Sequence, residues 1–308
     1  MKYAFLFPGQ GSQVVGMGKD LFDSFECVRK RFNRADALLG SELTKIVFTG
    51  PAEALTQTAN TQPALFTIEA AITDVLAEKG IVPSVAAGHS LGEYSALYAA
   101  GTVTFEDGLK LVARRGEFMA AAGIKRPGTM AAVIGMEKTR ITEVLNGISS
   151  GIVVTANENT PEQTVISGEA GAVGEACEKL KNAGAKKVVP LQVSGAFHSP
   201  LMQTAADEMA AVLSPICFST PRCPVIANVT AKPENDPEQL KALLIKQLVS
   251  PVRWVDSMKQ LEAFGCGVCI EAGPGSVLRG LARKCGDKLN VVAADTVSNI
   301  SSLLEKYR

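Results

Sequence analysis

The sequence predicts an α/β protein in which a parallel-sheet core is interrupted by an inserted ferredoxin-like (βαββαβ) subdomain. Three observations carry this reading. The first 125 residues alternate short apolar runs with longer helical patterns, the rhythm of α/β folds. From about residue 126 to 194 the order becomes strand, helix, strand, strand, helix, strand. Beyond 194 the first rhythm resumes, so residues 1–125 and 195–308 form one core and 126–194 a second unit.

Taken in order, Tyr3 to Phe7 reads as a strand that runs into the loop Pro8-Gly9-Gln10-Gly11-Ser12-Gln13. Helices are expected near 20–39, 51–57 and 61–79, followed by a strand from Val82 to Ala87 and a helix from Phe105 to Ala122. In the inserted unit, Thr129 to Ile134, Ile152 to Asn157, Gln163 to Ser167 and Lys187 to Val193 read as strands. Lys138 to Asn146 and Gly171 to Ala183 are its helices. Later strands are expected at 224–229, 267–271 and 291–293, and helices at 237–249, 253–264 and 275–284.

With 308 residues, 46% of them apolar and 20% charged, the chain can bury a large core. Its formal net charge is zero, which excludes a global field that recruits nucleic acid or anionic membrane. No apolar run approaches a membrane span, and the apolar N-terminal stretch is too short for a secretory signal. The cysteines, at 27, 177, 217, 223, 266, 269 and 285, are odd in number and scattered, as in a reducing, cytoplasmic compartment. Cys266-Gly267-Val268-Cys269 has no second pair and lies in the apolar run Phe264 to Ile270, so it reads as buried strand and no metal site is expected. The glycines at 9, 11, 16 and 18 do not make a nucleotide loop, because Val14 stands where G-x-G-x-x-G needs a third glycine.

The chemistry-bearing segment is Gly88-His89-Ser90-Leu91-Gly92, at the end of a strand and the start of a helix. A serine there is a nucleophile-elbow candidate, held on a turn too tight for large neighbours and facing the positive end of a helix. The letters alone are weak, since 28 glycines and 19 serines give about 0.16 chance matches. The other reading is a tight turn whose serine caps the helix.

A serine hydroxyl needs a base, and the chain has two histidines. His89 adjoins Ser90 and its side chain should project away from the serine oxygen. If a histidine activates Ser90, it is His198 in Gly195-Ala196-Phe197-His198-Ser199-Pro200. Arg115 falls in the middle of the apolar stripe formed by Leu111, Val112, Phe118, Met119 and Ala122, so it must find an anion. Two answers are open: a structural ion pair, or a clamp on a substrate carboxylate. Gln247 also sits on an apolar helix face, either tying the helix to a loop or lending a carbonyl that orients His198. Asp256, Glu271 and Asp295 are candidate triad acids by position only.

These segments occur in order with Arg115-Gly116, with Gln247 before Ser250-Pro251-Val252-Arg253-Trp254, and with Glu271-Ala272-Gly273-Pro274-Gly275. Together they resemble the malonyl-CoA:acyl carrier protein transacylase family over essentially the whole chain. The resemblance implies an α/β-hydrolase-like core and a ping-pong transfer of malonyl from malonyl-CoA to the phosphopantetheine thiol of acyl carrier protein, for fatty acid biosynthesis. It further implies Ser90 as acyl carrier, His198 as base and then acid, and the Gln247 carbonyl in place of a triad acid. The N–H groups of Gln10 and Leu91 would form the oxyanion hole and Arg115 would clamp the malonyl carboxylate. Gln10, Leu91, His89 and Arg115 are then the residues expected beside the substrate. The Ala-Phe-His form around His198 resembles members that take malonyl. No cofactor or metal is implied, and a monomer is expected. An acidic carrier protein would need a local basic patch, from Lys179, Lys181, Lys186 and Lys187 or from Arg279, Arg283 and Lys284. The rival readings are a serine esterase or thioesterase and a non-catalytic carrier-protein or CoA-binding module.

Overall fold

Five consecutive residues with no exposed face, Tyr3–Phe7, form β1 inside the main sheet of the computed structural model, which describes residues 1–286 and 288–307. Such a run is what a parallel strand covered on both sides requires. The chain continues through α1 (Lys19–Ser24), α2 (Glu26–Leu39), α3 (Leu43–Thr49), α4 (Ala52–Thr56), α5 (Thr58–Glu78), β2 (Val85–Gly88), α6 (Gly92–Ala99) and α7 (Phe105–Lys125). The middle unit is β3 (Thr129–Ile134), α8 (Lys138–Asn146), β4 (Val153–Thr160), β5 (Gln163–Gly168), α9 (Ala170–Asn182) and β6 (Lys187–Pro190). Then come α10 (Gln203–Leu213), β7 (Val225–Ile226), β8 (Pro233–Glu234), α11 (Pro237–Gln247), α12 (Trp254–Phe264), β9 (Val268–Glu271), α13 (Val277–Cys285), β10 (Val291–Ala293) and α14 (Val297–Tyr307).

The molecule is mixed α/β, with a parallel sheet and a separate antiparallel one. The main sheet has the order β10-β9-β1-β2-β7-β8, parallel except for β8. Period-two alternation divides its residues between two layers. Phe5 and Phe7 pack with α2, α5, α6 and α7, whereas Ala4 and Leu6 pack with Trp254, Met258 and Leu261 of α12 and Leu278 of α13. The second sheet has the order β4-β5-β3-β6 and is antiparallel throughout. One face carries α8 and α9 through Val133, Ile141, Ile166 and Leu180. The other, through Met130, Ala132, Ala156 and Val165, joins the main core. The second sheet is tied to the segment between α11 and α12 where Asn157 pairs with Val252: Glu158 N–H donates to Val252 C=O at 2.9 Å and Val252 N–H to Ala156 C=O at 2.8 Å.

Helices α5 and α7 approach closely because glycines line the contact. A Cβ on Gly108 would lie 2.3 Å from Phe66, and one on Gly116 would lie 2.8 Å from the Thr58 carbonyl. That approach sets Arg115 of α7 against Gln62 of α5.

Several sequence expectations need correction. The helix expected over 20–39 is two helices, because Phe25 adopts an extended conformation (φ −120°, ψ 129°) and turns its ring onto the core. The helix expected from 61 begins at Thr58 and carries Pro63 inside it. The strand expected to Val193 ends at Pro190, and the one expected over 224–229 is only Val225–Ile226. Helices α3, α10 and α14 were not foreseen; α10 is alanine-rich and α14 serine-rich, which blurs their apolar periodicity. Among the described residues all cysteines are free, no cluster suits a metal, and no helix is long and apolar enough to cross a membrane.

Glu69 on α5 is completely buried; Ser95 Oγ–H donates to its Oε2, and Oε1 has no partner. Burial pushes its carboxyl well above the ordinary 4.5, and nearby Glu271 adds to that, although the Ser95 bond opposes it. The unfolded chain therefore releases a proton that the fold keeps, and stability falls as pH rises above 4.5. Glu69→Gln removes this penalty. Thermal melts should show a gain of about 1–2 °C near pH 8, corresponding to roughly 1 kcal/mol at this chain size, and a smaller gain near pH 5.

Candidate active site

The site is built on the turn between β2 and α6. Ser90 has φ +52°, a left-handed conformation that costs a non-glycine residue about 1–3 kcal/mol. The residues two positions away on either side cannot carry side chains. A Cβ on Gly88 would lie 1.9 Å from the Gly92 carbonyl, and one on Gly92 would lie 2.1 Å from the Phe7 carbonyl. The turn so made lifts Ser90 Oγ to the carboxyl end of the sheet, where ligand sites form in open α/β sheets.

His198 follows the second unit and also has positive φ, +57°. Ser199 anchors it by donating through Oγ to the Ala196 carbonyl at 2.6 Å. The imidazole Nε2 lies 2.8 Å from Ser90 Oγ, and Nδ1 lies 2.9 Å from the Gln247 carbonyl. A carbonyl only accepts, so Nδ1 carries the proton and the Nε2 lone pair faces the serine hydroxyl. Burial first, then the Arg115 cation, push the His198 pKa down to about 3. The imidazole is therefore neutral, and able to accept a proton, at any ordinary pH.

Arg115 is 1% exposed. Its guanidinium donates to Gln62 Oε1 at 2.9 Å, Gln247 Oε1 at 2.7 Å and Ser90 Oγ at 3.1 Å, while its centre lies 5.5 Å from the Tyr94 ring. Among the described residues no carboxylate comes within 4.0 Å of it, and its Nε has no partner. The structural ion pair is thus corrected. The amide acceptors come from distant helices and are neutral, so no carboxylate touches the cation beside the serine, and Glu93 acts on it only at a distance.

A match to the acyl transferase domain family spans residues 4–302. The malonyl CoA-acyl carrier protein transacylase of Bacillus subtilis (strain 168) is 44% identical, with 100% of this chain and 98% of the relative covered. The chain belongs to the malonyl CoA-acyl carrier protein transacylase family. An acyl carrier protein S-malonyltransferase from Vibrio cholerae is 43% identical with TM-score 0.95, covering 98% of this chain and 100% of that one. A malonyl-transacylase solved in complex with its type II PKS acyl-carrier protein is 41% identical with TM-score 0.96, covering 99% of both chains.

In this member of the transacylase family a cavity of about 120 Å³ is lined by Gln10, Ser90, Leu91, Arg115, Phe197 and His198, among others. It shares Gln10, His89, Asn157, Leu191 and Val193 with a larger one of about 500 Å³ that reaches Val277 and Leu281 of α13. Among the described residues neither the Gln10 N–H nor the Leu91 N–H donates to any protein acceptor. The Gln10 side chain is tied to Thr58 Oγ1 at 3.2 Å, which fixes that loop. His89 turns away from Ser90 Oγ: its Nε2 lies 2.9 Å from Asn159 Oδ1 on β4, and its ring packs 5.3 Å from that of Trp254.

The acids proposed by position are not brought to His198. Asp256 pairs with Arg253 and Lys259, Glu271 accepts from the Leu278 and Arg279 N–H groups, and Asp295 accepts from Gly275 and Asn299. Of the expected basic residues, Lys179 and Lys186 are engaged by Glu175 and Glu162. Sequence reasoning missed Gln62, Glu93, Asn159 and Asn228, all buried polar residues around the elbow. The available signal was a polar residue at the end of an apolar run, as in Ile226-Ala227-Asn228, or inside an apolar helix, as at Glu93.

Because the His198 pKa is lowered, the unfolded chain gains a proton near pH 6.5 that the fold refuses, so this group withdraws stability as pH falls from 6.5 towards 3. The His198 ring should not titrate by NMR between about pH 8 and pH 6, and burial should hold the His89 midpoint below the ordinary 6.5. Arg115→Met should move the His198 midpoint upward and leave that of His89 in place.

Proposed function

We propose that the protein transfers the malonyl group of malonyl-CoA to the phosphopantetheine thiol of acyl carrier protein through a malonyl-Ser90 ester, supplying fatty acid biosynthesis. One observation carries this reading: a buried guanidinium without a carboxylate partner sits 3.1 Å from a serine that already has its base. A cation so placed suits an acyl group that brings its own carboxylate. The family membership and the carrier-protein complex of a relative agree with it.

In the first half-reaction Ser90 Oγ gives its proton to His198 Nε2 and attacks the thioester carbonyl. The oxyanion is received by the N–H groups of Gln10 and Leu91, an arrangement worth about 3–4 kcal/mol per donor in such sites. The intermediate then expels CoA sulfur, which takes the proton back from His198 Nε2. In the second half the pantetheine thiol gives its proton to Nε2, attacks the ester and returns Ser90 Oγ–H. The Gln247 carbonyl holds Nδ1–H throughout, so no triad acid is needed. Docking of the malonyl carboxylate on Arg115 offsets the cation that depresses the His198 pKa. The base is then strengthened when an acidic acyl group is bound. His89 acts at one remove, as part of the wall beside the acyl group.

We read residues 1–125 and 195–308 as an α/β-hydrolase-like catalytic core and 126–194 as a ferredoxin-like insertion, on the strand order and antiparallel pairing of its sheet. An acidic carrier protein would meet Arg279, Arg283 and Lys284 of α13, a helix that also borders the larger cavity. The scattered free cysteines fit a reducing, cytoplasmic compartment.

Intact mass after mixing with malonyl-CoA should show a malonyl adduct that persists without carrier protein, is discharged by it, and is absent in Ser90→Ala. Rapid loss to water would instead mark a hydrolase, and no adduct at all a binding module. Arg115→Ala should reduce malonyl transfer by about a hundredfold or more but acetyl transfer by less than about tenfold, because only malonyl loses a buried charge partner. An equal loss for both would make Arg115 a structural residue.

A further inference from the structure

Ser90 is held between two pinned peptides. The peptide from His89 to Ser90 is fixed on its carbonyl side, where Gly92 N–H donates to His89 C=O at 3.0 Å. On its other side Ser90 N–H donates to Asn228 Oδ1 at 2.7 Å. The peptide from Ser90 to Leu91 is fixed by its carbonyl, which accepts from Gln247 Nε2 at 2.9 Å and from Glu93 N–H at 3.2 Å. In a trans peptide the C=O and N–H point to opposite sides. Holding the Ser90 carbonyl against Gln247 therefore turns the Leu91 N–H the other way, towards the cavity.

Asn228 is the less obvious half of this brace. Main-chain pairing of β2 with β7 ends at Ala87 and Ile226. Beyond it the Asn228 side chain continues the pairing, donating from Nδ2 to Gly88 C=O at 2.6 Å while Oδ1 takes the Ser90 N–H. One planar amide thus grips both sides of the left-handed turn. The residue is itself fixed: its N–H donates to Glu93 Oε2 at 3.2 Å and its carbonyl accepts from Arg253 N–H at 3.0 Å. Glu93 Oε2 also accepts from Gln247 Nε2 at 2.6 Å, which closes a ring through Asn228, Ser90, Gln247 and Glu93. Asn228 is completely buried.

We propose that Asn228 is a positioning residue for the Ser90 chemistry: its amide holds the serine backbone so that Oγ meets His198 and the Leu91 N–H faces the acyl oxygen. This rests on the acyl-transfer reading above. No other side chain of its size supplies one acceptor and one donor in that geometry. Aspartate does so only when protonated.

The test is rapid-quench measurement of malonyl-Ser90 formation by intact mass in the parent, Asn228→Ala and Asn228→Asp. Asn228→Ala should be slowed about a hundredfold or more, the cost of a misplaced nucleophile, with KM for malonyl-CoA changed by less than about threefold. Its malonyl-to-acetyl preference should equal the parent's, since it leaves the Arg115 guanidinium untouched. Asn228→Asp should be slow near pH 8 and regain activity relative to the parent towards about pH 5.5, as the acid form restores a donor to Gly88 C=O. The titratable groups facing position 228 are Glu93 and, beyond it, Arg115, with His198 across Ser90; expressing each rate against the parent at the same pH accounts for them. A folded Asn228→Ala within about threefold of the parent rate overturns the proposal, as does a pH-independent ratio for Asn228→Asp. If Asn228→Ala does not fold, the Asn228→Asp profile decides. Absence of an adduct in the parent would instead refute the acyl-transfer reading itself.

Discussion

Gln247 ends α11 with its backbone carbonyl and its side-chain amide in the same buried space, and four chemical groups take their positions from it. The carbonyl fixes the His198 tautomer, Oε1 accepts from Arg115, and Nε2 donates to the Ser90 carbonyl and to Glu93. A glutamine can do this because it offers two acceptors and a two-hydrogen donor, counting its main chain. A carboxylate at the same place would pair with Arg115 and cancel its charge. The neutral amide holds the cation without neutralising it.

That distinction governs the electrostatics of the whole pocket. A guanidinium without a contacting carboxylate in a buried site is costly, and here the direct contacts that offset the cost are amide oxygens and the face of Tyr94. The same cation depresses the His198 pKa. Glu93 shows the opposing balance: burial raises its carboxyl to about 7, although Gln247, Asn228 and Arg115 all pull it down. The pocket thus combines a neutral imidazole, a weakly acidic carboxyl and one strong cation that no carboxylate touches directly.

Much of this was legible in the sequence because each feature depends on local geometry. Glycines on both sides of Ser90 mark a turn that admits no Cβ, and helical angle alone places Arg115 on a buried face. His198 follows by elimination from a chain with two histidines. What escaped depends on contacts between distant segments. Gln62 and Gln247 lie 53 and 132 residues from Arg115, and no periodicity announces that two amides rather than an acid will meet it. Asn228 escaped for a similar reason: the run around it reads as a longer strand, yet the ladder stops at Ile226 and the side chain takes over. The break at Phe25 was hidden because an aromatic residue fits a helical stripe as well as it fits a turn into the core.

The second sheet completes the site as a wall, not as a source of reacting groups. Met130 on β3, Asn157 on β4, and Leu191 and Val193 beyond β6 line the cavity opposite Ser90, and no catalytic side chain is required of them. Their placement depends on the Asn157–Val252 pairing and the Asn159–His89 hydrogen bond. Both link the insertion to segments next to the elbow or to Gln247. In the proposed transfer, an ester on Ser90 would pass to a thiol only if water were kept from the same carbonyl, and a largely apolar wall held beside Ser90 would serve that end. Val252 lies five residues beyond Gln247, so the segment that orients the base also locates the wall. The orientation of His198 and the position of the wall are therefore set by one stretch of chain.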